Sequence, residues 1–280
     1  MSDLATESPG TVRSTRTHAL PGPVDRALPA LRVTEYYARL WQRYWVSWAL
    51  TAMVLPLLFL GALGLGLGGL VDEVRTVDGF EYLVFVAPGI LAASGVFAAS
   101  GDSLWPVLGG IKWNRVLHGV AATPVTPGQI YAGFLTWTIT HVAMNAAVFL
   151  VVAALLGAVE SWWAVVAVPA AALGALACAA PLTAFAAGRD SDSPFAVTMR
   201  VLVIPMFLFS GTFYPIDQLP DALEWLARVA PLWHAVELCR GATTGTLSLA
   251  AGVGHTAALA AMVAAGCAWG VRVFRKKLAS

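Results

Sequence analysis

Five windows of this chain, at about 45–70, 82–101, 130–156, 162–187 and 247–271, carry no Lys, Arg, Asp or Glu. A sixth, at 195–213, is interrupted only by Arg200. About 20 such residues in a helix cross a hydrocarbon layer of about 30 Å. In lipid, backbone groups must find partners within the chain, so a spanning segment is a helix or part of a closed barrel. With 58% hydrophobic and 12% charged residues, too little polar side chain remains to cover a soluble core. These windows predict an all-α polytopic membrane protein with six transmembrane helices.

Residues 1–30 are rich in Ser, Thr, Pro and Gly and lack an apolar core, so they read as a disordered cytosolic tail without a cleavable signal peptide. From Leu31 to Tyr44 the pattern turns helical. Leu31, Val33, Tyr36, Tyr37, Leu40, Trp41 and Tyr44 alternate with Arg32, Glu35, Arg39, Gln42 and Arg43. That periodicity suits a helix in the membrane interface, or one packed on another protein. Gly64 and Gly68 in the first window form a small-xxx-small pair that permits close helix contact. Cys178, Cys239 and Cys267 are an odd set without metal-ligand spacing, which argues against a disulfide framework.

The interval 102–129 is the longest polar stretch inside the hydrophobic body, and only mildly polar. Lys112, Arg115 and His118 sit among Trp105, Ile111, Trp113 and Leu117, a pattern for a short cytosolic helix over 105–121. The turn Thr123-Pro-Val-Thr-Pro-Gly128 stops it. The apolar stripe fits a groove of another protein or the membrane surface equally well. On the opposite side, 214–246 is punctuated by Pro215, Pro220 and Pro231. Asp217, Asp221 and Glu224 face one way, with Leu219, Leu223, Leu226, Val229 and Trp233 on the other. Short re-entrant helices are the expectation there, with Glu237 and Arg240 as an i,i+3 structural pair.

Charge distribution orients the chain. The N-terminus, 102–129, 188–193 and the basic tail 272–280 hold thirteen Lys or Arg and seven Asp or Glu. The segments 71–81, 157–161 and 214–246 hold three and nine. The positive-inside rule places the first group, and with it both termini, in the cytoplasm of a bacterial plasma membrane.

No nucleotide-binding glycine pattern, catalytic constellation or metal-spaced histidine pair is present in the sequence. His141 and Asn145 lie four apart on one face of the third window, as a helix–helix hydrogen bond or as functional polar groups. Arg200 snorkels to the interface or meets a substrate headgroup. No Asp or Glu is expected deep in a span, which counts against ion coupling.

The block Arg200-Val-Leu-Val-Ile-Pro-Met-Phe-Leu-Phe-Ser-Gly-Thr-Phe-Tyr-Pro215, followed by Leu219-Pro220 and Pro231-Leu-Trp-His-Ala-Val-Glu-Leu-Cys-Arg240, resembles the membrane subunit of type-2 ABC exporters. Its branch includes permeases for rhizobial lipo-oligosaccharide signals and daunorubicin-type drugs. The turn Ala122-Thr-Pro-Val-Thr-Pro127 is also similar to that family's cytosolic loop ending. The resemblance extends over nearly everything after residue 31. It implies a six-span domain over 31–271 that moves an amphiphile (drug, glycolipid, lipid-linked saccharide or lipid). The chain itself is then no enzyme and binds no cofactor. ATP and magnesium belong to a separate cytosolic ATPase subunit in two copies. A second permease subunit, identical or homologous, pairs with this one, and nucleic acid has no part.

The resemblance further assigns coupling to Lys112, Trp113, Arg115 and Leu117. Arg200, Phe209, Phe213, Tyr214, Trp233 and His234 would line the substrate path or its exit. The family's acidic and arginine-rich run before the turn is replaced by Gly109-Gly-Ile-Lys-Trp-Asn-Arg115. The other readings of the chain are a non-transporting membrane scaffold or assembly factor, and an ion-coupled transporter.

Overall fold

The computed structural model describes residues 23–67 and 77–278, almost entirely as helix. Helix α1, Pro23–Phe59, bends at Tyr44 (φ −122°, ψ 18°) and continues into a π-helical stretch at Leu60–Leu67. Helix α2, Tyr82–Leu108, runs on through a π-helical turn at Gly109–Trp113, and the short α3 covers Val116–Ala121. Helix α4 is Pro127–Leu155, and a 3-10 turn at Trp162–Val166 leads into α5, Ala167–Ala187. A broken apolar helix follows, made of α6 (Ser193–Thr198), a π-helical turn (Met199–Val203) and α7 (Ile204–Phe209). Then come α8 (Asp221–Val229), α9 (Pro231–Thr244) and α10 (Leu249–Leu278).

Among the described residues four helices are long and apolar enough to cross a membrane: Tyr82–Trp113, Pro127–Leu155, Trp162–Ala187 and Leu249–Leu278. This corrects the expectation of six. An uncharged window is not the same as an unbroken helix. In the first window α1 gives way to the π-helical stretch at Leu60, and residues 68–76, with Gly68 and most of the acidic loop, lie outside the described residues. In the window at 195–213 the apolar helix covers only Ser193–Phe209. Its 17 residues rise about 25 Å, less than the hydrocarbon layer. Gly211, at φ +74°, then turns the chain away through a conformation that L side chains rarely adopt.

The bundle is organised around α5, which packs against α2, α10, α4 and α9. Its sequence is mostly alanine, a strong helix former whose small side chain lets neighbouring backbones approach. At Gly174 a Cβ would overlap the methyl of Ala235 on α9. Helix α2 is buried along most of its length, whereas α4 and α10 leave much of their surface outward. Val148, Val151, Leu155, Leu249 and Val253 are among the exposed apolar side chains there. Tyr131 ties three helices together, its hydroxyl donating to the carbonyls of Ala180 (2.9 Å) and Gly266 (3.3 Å).

The helix expected over 31–44 begins earlier, at Pro23, while the tail before it lies outside the described residues. Its apolar stripe divides. Val33, Tyr37 and Trp41 face α4: Tyr37 meets Phe134 at 5.5 Å, Trp41 meets Trp137 at 6.3 Å, and Thr34 Oγ1 donates to Gly133 O at 2.9 Å. Leu31, Tyr36, Leu40 and Tyr44 remain exposed. The turn at 123–128 does stop a helix and starts another: Thr126 caps α4 with Gln129 in a reciprocal capping box. The helix expected over 105–121 is two pieces, because Arg115 takes a left-handed conformation (φ 54°) between Trp113 and α3.

Candidate functional site

A cavity of about 850 Å³ opens between α1, α2, α4 and α7. Its wall is mostly apolar, and Phe59, Phe97 and Phe207 form one side. Phe207 meets Phe97 edge-on at 5.2 Å and Phe213 at 5.0 Å, and Phe59 lies 6.1 Å from Phe207. Asp102, His141 and Asn145 supply a polar group on the wall. Asn145 Nδ2 lies 3.0 Å from His141 Nε2, and His141 Nδ1 faces Asp102 Oδ2 at 3.6 Å.

This arrangement refines one expectation and revises another. The His141–Asn145 bond lies within α4, and the contact between helices is the approach of His141 to Asp102 of α2. Asp102, read as part of a cytosolic interval, belongs to α2 and lies against His141. It lies eleven positions before Trp113, about 16 Å along the axis, so the carboxylate stands well inside the bundle. The sequence held a signal for it. Ser94, Ala98 and Asp102 are spaced by four and share the helix face that lines the cavity.

A second group of polar contacts closes the far end of the bundle. Arg240 on α9 is 9% exposed, and its guanidinium donates to Gly211 O (2.5 Å), Phe85 O (3.3 Å) and Glu237 Oε1 (3.1 Å). It also lies 3.9 Å above the Phe85 ring. The break after α7 is therefore held to α2 and α9 by one side chain. Tyr82 OH donates to Phe213 O at 3.3 Å beside it. At Gly89 a Cβ would lie 2.7 Å from the carbonyl of Thr212, so α2 needs glycine where that break crosses it.

The residues expected along an exit divide. Phe213 joins the aromatic cluster next to the cavity, and Phe209 and Tyr214 are half-buried nearby in sequence. Burial raises the Tyr214 hydroxyl above the usual tyrosine range. Trp233 and His234 instead pack with His255 of α10, the two imidazoles meeting through Nδ1 atoms 2.9 Å apart. One ring must donate and the other accept. Burial and the facing His255 push His234 below the usual histidine range. Arg200 is exposed beside Val197, Val201 and Leu202.

At the near end, Asp190 draws together three segments. Lys112 reaches it at 2.7 Å and Lys277 at 3.3 Å. Hydrogen bonds and charge from these two ammonium groups hold the Asp190 carboxyl below its usual range. The bridges therefore persist at neutral pH and are lost only as pH falls through that lowered value. Trp113 stands 63% exposed, and Arg115 is exposed beside it. Leu117 is only 4% exposed and packs against Gly110, so it anchors the turn and offers nothing outward.

Apolar spanning helices around a cavity, with a charged turn at one end, define a polytopic membrane protein of the permease type. The chain belongs to the ABC-2 type transporter family, whose model matches residues 33–243. It is 32% identical over 213 residues to nodulation protein J of Rhizobium leguminosarum bv. viciae, a match that spans 73% of this chain and 81% of that one. Nodulation protein J of Rhizobium meliloti (strain 1021) is 30% identical over 213 residues, 74% of this chain and 80% of the relative. The Bradyrhizobium diazoefficiens protein of the same name is 28% identical over 212 residues, 73% and 79%. The chain is thus a membrane permease subunit, not an enzyme, and its family implies an ATPase partner and a paired permease. Among the described residues no His, Cys, Asp or Glu cluster is placed to hold a metal ion.

Proposed function

We propose that the chain forms the membrane half of an exporter of amphiphiles, powered by two copies of a separate ATPase and paired with an identical or related permease. The observation that carries this is the cavity: a largely apolar, 850 Å³ space inside the membrane domain of a transporter family. Such volumes enclose drug-sized ligands, typically about 300–1,000 Å³. A membrane scaffold has no need of one.

Lys112, Trp113 and Arg115 are the proposed contact with the ATPase, with Leu117 seating the turn. Exposure of a tryptophan beside a cation, on a turn braced from below by Gly109 and Gly110, supports the assignment. Residues 31–271 make up the proposed transport domain, with 105–121 as its coupling region, 214–246 as its extracellular re-entrant segment and both chain ends in the cytoplasm. That placement is supported by the ion contacts joining Lys112, Asp190 and Lys277, three segments that the charge rule assigns to one side. Glu160 and Ser161 likewise donate backbone N–H bonds to Thr243 O, joining two segments assigned to the other. Phe209, Phe213 and Tyr214 are the proposed exit lining; Arg200 is proposed to meet headgroups at the interface.

The test is reconstitution. The chain, purified with the products of its neighbouring genes, is expected to bring a stoichiometric nucleotide-binding subunit and to move a fluorescent amphiphile across proteoliposomes only with ATP. Replacing Trp113 and Arg115 together by alanine is expected to leave assembly in the membrane intact and to cut amphiphile-stimulated ATP hydrolysis at least tenfold. Unchanged stimulation would remove this contact. A tag at residue 230 should be reached from outside intact cells and one at residue 110 should not.

A further inference from the structure

The polar group in the cavity points to a preference by charge. Asp102 Oδ2 is buried and has no hydrogen-bond partner. The facing His141 Nδ1 is at 3.6 Å, beyond hydrogen-bond reach. A carboxylate within a membrane bundle is costly unless something compensates it. Among the described lining residues Asp102 is the only charged side chain, and no Lys or Arg shares the wall. His141, bonded to Asn145, is the other titratable group there. An anionic headgroup would meet this carboxylate without a counter-charge. An ammonium group would gain one, while its apolar body lay against Phe97 and Phe207.

We infer that Asp102 forms the headgroup end of a binding site for amphiphiles bearing an organic ammonium group, with Phe97 and Phe207 receiving the apolar body. The inference rests on the permease reading and names its substrate class. Asn145 bonds the His141 ring, which faces the carboxylate at 3.6 Å. The geometry favours a single-chain or compact ligand, since 850 Å³ suits a drug-sized molecule.

The test reads binding without the ATPase. The full-length chain is placed in nanodiscs of zwitterionic lipid, with empty discs subtracted. Three probes share a fluorophore and a twelve-carbon chain and end in an ammonium, a hydroxyl or a sulfonate. The wild-type chain is expected to bind the ammonium probe at least tenfold tighter than the hydroxyl probe and to bind the sulfonate weakest. Asp102→Asn should remove the ammonium preference and leave hydroxyl-probe affinity within twofold. Phe207→Ala should weaken the ammonium and hydroxyl probes together. Equal binding of all three probes by wild type overturns the inference, as does a sulfonate preference. So does an Asp102→Asn chain that keeps the ammonium preference. Because no nucleotide enters the assay, these failures leave the permease reading standing. Conversely, a chain that binds the ammonium probe but never stimulates its ATPase would break that reading alone.

Discussion

Arg240 and Asp102 are two charged side chains placed within the helical bundle, and the structure treats them in opposite ways. Arg240 is satisfied on every side by two carbonyls, a carboxylate and an aromatic face. Asp102 keeps a buried oxygen without a hydrogen bond and turns toward a cavity. A charge whose nitrogens are each bonded holds structure together. One that remains under-satisfied beside empty volume can respond to what enters it. The same contrast separates the tight alanine-and-glycine packing of α5 on α9 from the loosely filled space between α1, α2, α4 and α7.

Substitutions can break the contrast, beginning with the largest effect. Arg240→Met leaves the Gly211 and Phe85 carbonyls and Glu237 without their donor, and should cost about 3–5 kcal/mol. Thermal unfolding in detergent would read this, and a wild-type midpoint would show that Arg240 is not the lock. Gly174→Val pushes against Ala235 and should cost about 1–3 kcal/mol in the same assay. Thr126→Ala removes the cap of α4 and should cost about 1 kcal/mol.

Asp102→Asn should stay within about 1 kcal/mol of wild type, because no hydrogen bond is lost at Oδ2. A drop as large as that of Arg240→Met would make Asp102 a second structural lock. Smallest of all is Asp190→Asn, which removes exposed bridges from Lys112 and Lys277 and should leave the unfolding midpoint unchanged.

How much could be read in advance differs between these places. Glu237 and Arg240 are three apart on one helix, so their 3.1 Å contact follows from helical spacing. The arginine's bonds to Gly211 and Phe85 do not, since those residues lie 29 and 155 positions away. His141 and Asn145 were legible for the same local reason, and the approach of Asp102 from another helix was not. A single acid 11 residues from the end of a helix looks cytosolic until the π-helical turn at Gly109 is known to prolong that helix to Trp113. Leu117 had the apolar character of a docking residue, yet only the fold of the turn shows it facing inward.

Composition and periodicity by themselves determined that this chain is helical and embedded in lipid, because apolarity and backbone satisfaction are properties of local sequence. They also grouped its charged segments by side. Only the tertiary structure decided how many apolar windows become continuous spanning helices, because breaks such as Tyr44, Leu60 and Gly211 depend on the neighbours that stabilise them. It alone decided which charge is locked and which faces a cavity. Satisfaction of a polar atom is a matter of three-dimensional neighbours, and residues far apart in the chain supply them.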